Sequence, residues 1–182
     1  MICKLDAQTS GQLDGPLAEL LTPLFPEDVC SAYAGYLETE APLQAALSAY
    51  FSQPDQYPNV TPIIIYNEQS HELITLMSNN KTLPDETGEP GSILAHIRDN
   101  GYTDRVLCSD CYGQLSCSSC AIEVLSGTLE NPIPREEEYD MLDIDETKPP
   151  TEKTRLGCQA QVGSEPLVIK VRAPEKKLIS TI

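Results

Sequence analysis

The spacing of apolar residues changes along this chain at about residue 58. In "DGPLAELLTPLF" Leu17, Leu20, Leu21 and Leu24 recur every three or four positions, which predicts a helix with Asp14 as its cap and Pro16 in its first turn. "PEDVCSAYAGYLET" and "APLQAALSAYFSQ" repeat the pattern, so residues 12–53 read as three short amphipathic helices. Helices of this length are marginal alone. Tyr33, Tyr36, Leu37, Leu47, Tyr50 and Phe51 must therefore pack on one another or on the rest of the chain. The proline-bearing stretch "SQPDQYPNVTP" marks the boundary, dividing the chain into residues 1–58, a helical region with no catalytic constellation, and residues 59–182.

The second part has a strand character. "TPIIIY" and "HELITLM" flank the polar "NEQS" and predict a hairpin that includes His71 in a strand. "GSILAHIRDNG" predicts a helix capped by Ser92, with Ile93, Leu94 and Ile97 on one face and Gly101 at its end. A strand at "CAIEVLSG", a short acidic helix at "PREEEYDMLD", and strands at "RLGCQAQV" and "PLVIKV" complete an α+β order around one main sheet.

Charge removes several functions. Lys and Arg number 12 against 28 Asp and Glu, giving a net charge of −16. That balance disfavours nucleic acid and anionic membranes and favours basic protein partners. No apolar run reaches the ~18 to 20 residues of a membrane span, and the first residues lack secretory or transit character, so a cytoplasmic protein is expected.

In that compartment an odd set of 7 cysteines is poorly explained as a disulfide framework, which leaves metal or redox use. Cys108, Cys111, Cys117 and Cys120 cluster, and Cys158 lies farther along. Two C-x2-C pairs with only five residues between them fit a zinc ribbon badly, since such knuckles usually stand ~12 to 20 residues apart. C-x5-C-x2-C with a distant fourth cysteine instead lets one loop wrap a flat 2Fe-2S diamond, and this selects Cys111, Cys117, Cys120 and Cys158 as ligands. Gly113, Ser116, Ser118 and Ser119 between them are small enough to let backbone N–H groups turn toward the sulfurs.

"CYGQLSCSSC", "EEEYDMLD" and "RLGCQ", in this order and spacing, resemble the cluster loop, acidic recognition helix and fourth-ligand segment of the adrenodoxin-like 2Fe-2S ferredoxins. The resemblance covers roughly residues 60 to 174. It implies a β-grasp fold for 59–182 and a 2Fe-2S cofactor. It also implies partner docking by Glu136, Glu137, Glu138, Asp140 and Asp143. The implied partners are a flavoprotein ferredoxin reductase as donor and a heme-thiolate monooxygenase or the cluster-assembly machinery as acceptor. One departure is Ala121, which stands where members commonly have His, and residues 1–58 have no counterpart in the family core.

A 2Fe-2S centre with four thiolates takes one electron, so the expected function is one-electron transfer without bond chemistry, at a low potential near roughly −400 mV. Two alternatives remain: a cluster-bearing redox sensor, and a protein-binding module whose N-terminal helices carry the interaction. Cys108, Cys3 and Cys30 read as small apolar residues, and His71 and His96 as structural or surface residues.

Overall fold

The computed structural model describes residues 11–79, 88–102, 106–143 and 149–171. Cys3 lies outside them. Three helices come first, α1 (Gly15–Leu21), α2 (Glu27–Thr39) and α3 (Ala41–Ser52), with a single 3-10 turn at Pro54–Gln56 before the sheet begins. β1 (Val60–Asn67) and β2 (Glu72–Asn79) form the expected antiparallel hairpin, with Ile65 opposite Ile74. Then come α4 (Ile93–Asp99), β3 (Ala121–Ser126), α5 (Glu136–Leu142), β4 (Thr154–Leu156) and β5 (Leu167–Val171).

The five strands make one mixed sheet in the order β2-β1-β5-β3-β4. Its centre is the parallel pair β1 and β5, the first and last strands of the sheet in sequence, while β3 runs antiparallel to β5 and β4 to β3. A mixed sheet whose central parallel pair is closed by a long connection, with a helix packed on it, is the β-grasp arrangement, and the fold class is α+β.

Alternation along the central strands divides the core in two, because successive strand side chains point to opposite faces. Ile63, Ile65, Leu167, Ile169 and Val171 face one side, where they pack with Ile93, Leu94 and Ile97 of α4 and with Leu156, Cys120 and Cys158. Ile64 and Val168 face the other side, where Leu17, Leu21, Val29, Tyr33, Leu37 and Leu47 of α1–α3 cover them. The run of three isoleucines in β1 is thus a strand buried on both faces. Burying a side chain such as Ile64 or Val168 is worth about 1.5 to 3 kcal/mol. Tyr33 of α2 also hydrogen-bonds Thr75 of β2, and its burial pushes the phenol up to about 12.

Several expectations change here. The apolar faces of α1–α3 are spent against one another and against the sheet; among the described residues only Tyr112, Ile133 and Tyr139 are large, apolar and exposed. The helices therefore form a layer of their own packed on the second face of the sheet. The strand expected over "RLGCQAQV" shortens to Thr154–Leu156, because the next residues turn to meet α4. His71 sits in the turn before β2 with φ 56 and bonds Tyr66 through Nδ1 at 2.8 Å. His96 is buried on α4, and burial lowers its pKa to about 4. Cys30 packs in the helical layer as expected of a small apolar residue. Among the described residues no helix is long and apolar enough to cross a membrane.

Candidate metal centre

Helix α4 positions the site through its own unfinished hydrogen bonds. The first N–H groups of a helix lack intrahelical acceptors. Ser92 caps one by accepting from Ala95 N at 3.3 Å, while Ile93 N and Leu94 N donate to Ala160 O and Gly157 O, each at 2.9 Å. These two bonds bend the chain after β4 around Cys158. Gly157 N then donates to Cys120 O at 2.8 Å, fastening the end of the cysteine loop to the Cys158 turn. Gly157 has to lack a Cβ, which would stand 2.7 Å from Leu107 and 3.1 Å from Cys120 O.

The loop between α4 and β3 is curled by left-handed backbone at Tyr112, Gly113 and Leu115, with φ of 55, 84 and 53. Ser109 anchors the curl, its carbonyl accepting from Tyr112 N at 3.0 Å and its hydroxyl from Gly113 N at 2.8 Å. Farther on, Ser119 Oγ accepts from Asp110 N at 2.9 Å and lies 3.1 Å from Cys117 Sγ. The small residues of the loop thus fold it back on itself with its sulfurs inward.

Four thiols meet there as two pairs. Cys111 hydrogen-bonds Cys117, and Cys120 hydrogen-bonds Cys158. The pairs also interact electrostatically, Cys111 acting on Cys158 and Cys117 on Cys120. Burial pushes the Cys111 thiol up, but the backbone N–H of Ser116, the Cys117 and Ser116 side chains and the N–H of Gly113 outweigh it, holding Cys111 at about 6. The hydrogen bond from Cys120 holds Cys158 below its ordinary value against burial, assisted by the amide of Gln159 and the N–H of Leu115. The same bond, together with burial, pushes Cys120 up.

This donor set fits a 2Fe-2S cluster. Among the described residues no three His, Cys, Asp or Glu side chains converge as a single-ion site requires. Two pairs of soft sulfurs, Cys111 with Cys117 and Cys120 with Cys158, would suit a two-iron cluster. N–H groups aimed at the sulfurs would stabilise the cluster's negative charge. The pairs also differ in access: Cys120 and Cys158 are fully enclosed, while Cys111 and Cys117 are half-buried.

Cys108 departs from the small apolar residue expected. It is half-buried and donates to Asp110 Oδ1 at 3.4 Å, outside the two pairs.

The acidic helix brings a second correction. Glu136, Glu137, Asp140 and Asp143 are exposed, but Glu138 is 1% exposed and forms part of the core. Arg155 Nε and Nη2 donate to its two carboxylate oxygens at 2.8 and 2.9 Å, and Leu156 N donates to Oε1 at 2.8 Å. Arg155 Nη1 reaches Asn131 O at 2.6 Å, and Asn131 in turn bonds Gln159 O and Gln161 N, both just after Cys158. Glu138 lies one helical turn before the inward Leu142, so its face is readable from spacing; no local signal points to its partner Arg155.

Comparison with known proteins bears on the same stretch. Residues 77–163, which contain all four thiols, match the 2Fe-2S iron-sulfur cluster binding domain. Rhodocoxin of Rhodococcus erythropolis is 38% identical over 71 residues, amounting to 38% of this chain; the chain spans 65% of that relative's length. An ISC-like 2Fe-2S ferredoxin from Pseudomonas putida is similar at 26% identity, with 61% of this chain and 91% of that one covered and a TM-score of 0.43. Putidaredoxin, in its covalent complex with putidaredoxin reductase, is similar at 23% identity, with 61% and 97% covered and a TM-score of 0.41. Residues 77–163 thus match a domain that binds a 2Fe-2S cluster, and in that stretch the chain is similar to the ferredoxins named above.

Proposed function

We propose that this protein carries single electrons on a 2Fe-2S cluster ligated by Cys111, Cys117, Cys120 and Cys158. The observation that carries this reading is the gathering of these four thiols as two pairs, each pair a set of donors for one iron. The bound cluster supplies one-electron redox chemistry. The chain supplies the thiolates, N–H groups that favour their charged form, and burial of one pair with the other near solvent. That asymmetry fixes the side from which an electron crosses.

Donor and acceptor follow from the sequence resemblance: a flavoprotein ferredoxin reductase supplies the electron, and a heme-thiolate monooxygenase or the cluster-assembly machinery takes it. The exposed Glu136, Glu137, Asp140 and Asp143 would steer basic surfaces of both, since opposite charge raises encounter rates. A cytoplasmic location suits thiols that must stay reduced.

The test is reconstitution. Full-length protein purified without air should contain iron and acid-labile sulfide in equal amounts, and should be required for electron flow from an NADPH-loaded adrenodoxin-type reductase to cytochrome c. Zinc in place of iron, or flow that does not depend on the protein, contradicts the reading.

A further inference from the structure

Tyr112 comes directly after Cys111, one of the half-buried pair, and is 68% exposed. Its backbone is left-handed at φ 55, a conformation uncommon for a bulky residue and one that glycine adopts at no cost. Backbone and ring each have one partner within the chain. Ser109 O takes its N–H at 3.0 Å, and the Arg98 guanidinium, from the last turn of α4, lies 5.9 Å from the ring centroid. The ring adds nothing to the core, since neither hydrophobic cluster contains it. An aromatic side chain that is exposed, set on a strained backbone and faced by a guanidinium, with no share in the core, is suited to a contact outside the chain.

We propose that Tyr112, positioned by Arg98, is the docking anchor over the exposed edge of the cluster, contacting a basic electron-transfer protein whose own cofactor edge is apolar. This rests on the electron-carrier reading and names a surface distinct from the acidic helix. Charge argues for the class of partner: a chain of net charge −16 draws a basic protein. The apolar ring argues for the edge, because aromatic residues dominate the desolvated centre of interfaces while charges occupy the rim. The step served is simple electron transfer: the reduced cluster gives up one electron, a ferric haem becomes ferrous, and no proton or bond is exchanged.

The experiment uses the full chain with its cluster, reduced by dithionite, and two oxidants in stopped flow: cytochrome c, a basic haem protein, and hexaamminecobalt(III), a small cation. Tyr112→Gly should keep the visible spectrum and at least the wild-type thermal stability, because it relieves the left-handed strain. It should slow oxidation by cytochrome c roughly five- to tenfold, the loss expected of an interface anchor. Oxidation by the cobalt complex should not change. Tyr112→Phe should retain the fast reaction, and Arg98→Gln should lose part of it. An unchanged cytochrome c rate in Tyr112→Gly overturns the proposal, as does equal slowing with both oxidants, or loss of the cluster in that variant. A wild-type protein that takes up no electron would instead contradict the carrier reading itself.

Discussion

Arg155 on β4 grips both carboxylate oxygens of Glu138 on α5, at 2.8 and 2.9 Å, with both side chains nearly sealed from water. Arg155 lies three residues before Cys158, and Glu138 lies on the helix whose outer face carries the exposed acids. A single buried pair thus ties the acidic helix to the strand that delivers the fourth thiol. Removing one partner leaves the other charged and buried, which typically costs about 3 to 5 kcal/mol. Glu138→Ala should therefore lower the thermal midpoint and loosen the cluster, and a double variant, Glu138→Leu with Arg155→Met, should recover part of the loss. The check is thermal unfolding monitored at the cluster's visible absorption; an unaffected single variant would contradict the link.

The four exposed acids should behave differently. Neutralising Asp140 and Asp143 to Asn leaves the core untouched and removes two charges from the outer face of α5. Exposed charges are screened beyond roughly 8 to 10 Å at physiological ionic strength. Reduction by a flavoprotein reductase should therefore slow at low salt, its salt dependence should flatten, and the cluster potential should stay put. Stopped-flow rates across ionic strength, beside a redox titration, decide whether the patch steers partners or is only a solvated face.

The helical layer should unfold with the sheet. Leu21 is fully enclosed in the core that α1–α3 share with Ile64 and Val168, so Leu21→Ala should cost about 2 to 5 kcal/mol. If the two layers are one cooperative unit, loss of helical circular dichroism and loss of the cluster's absorption coincide in a denaturant titration. Separate transitions would mark residues 1–58 as an independent appendage.

His96 gives a pH signature. Its folded pKa, lowered by burial to about 4, is below its unfolded value near 6.5. Between those values the unfolded chain binds the extra proton, so this group's stability contribution is fully present above the unfolded pKa and falls as pH drops toward 4. Below 4 it falls no further. A His96→Asn variant should show a shallower loss of stability from pH 6.5 to 4 than the wild type, measured by urea unfolding at each pH; parallel curves would contradict the assignment.

How much of the molecule is legible in its sequence depends on whether the signal is local. The gathering of Cys111, Cys117, Cys120 and Cys158 is legible, because C-x5-C-x2-C and "RLGCQ" are short local patterns. So are the hairpin and the capped α4, which local period and Ser92 specify. The features that are not legible depend on partners distant in sequence. Ile64 and Val168 meet α1–α3 across long stretches of sequence, although three consecutive isoleucines already signal a strand covered on both faces. Glu138 reads as one more acid in an acidic run because Arg155, 17 residues away, is the group that draws it inward. The strand expected past Leu156 ends early because α4's free N–H groups compete for its carbonyls.

Cys111, Cys117, Cys120 and Cys158 are proposed to hold a two-iron cluster that takes one electron. The most direct measurement is a stoichiometric dithionite titration of the full chain by visible absorption and electron paramagnetic resonance, repeated on Cys108→Ser and on each of the four ligand variants. Wild type and Cys108→Ser should bleach with one electron per two irons and give the spin signal of a mixed-valence iron pair, while each ligand variant loses iron or becomes labile. A chain that titrates with no electron, or one that keeps its cluster without Cys111 and loses it without Cys108, would contradict this ligand set.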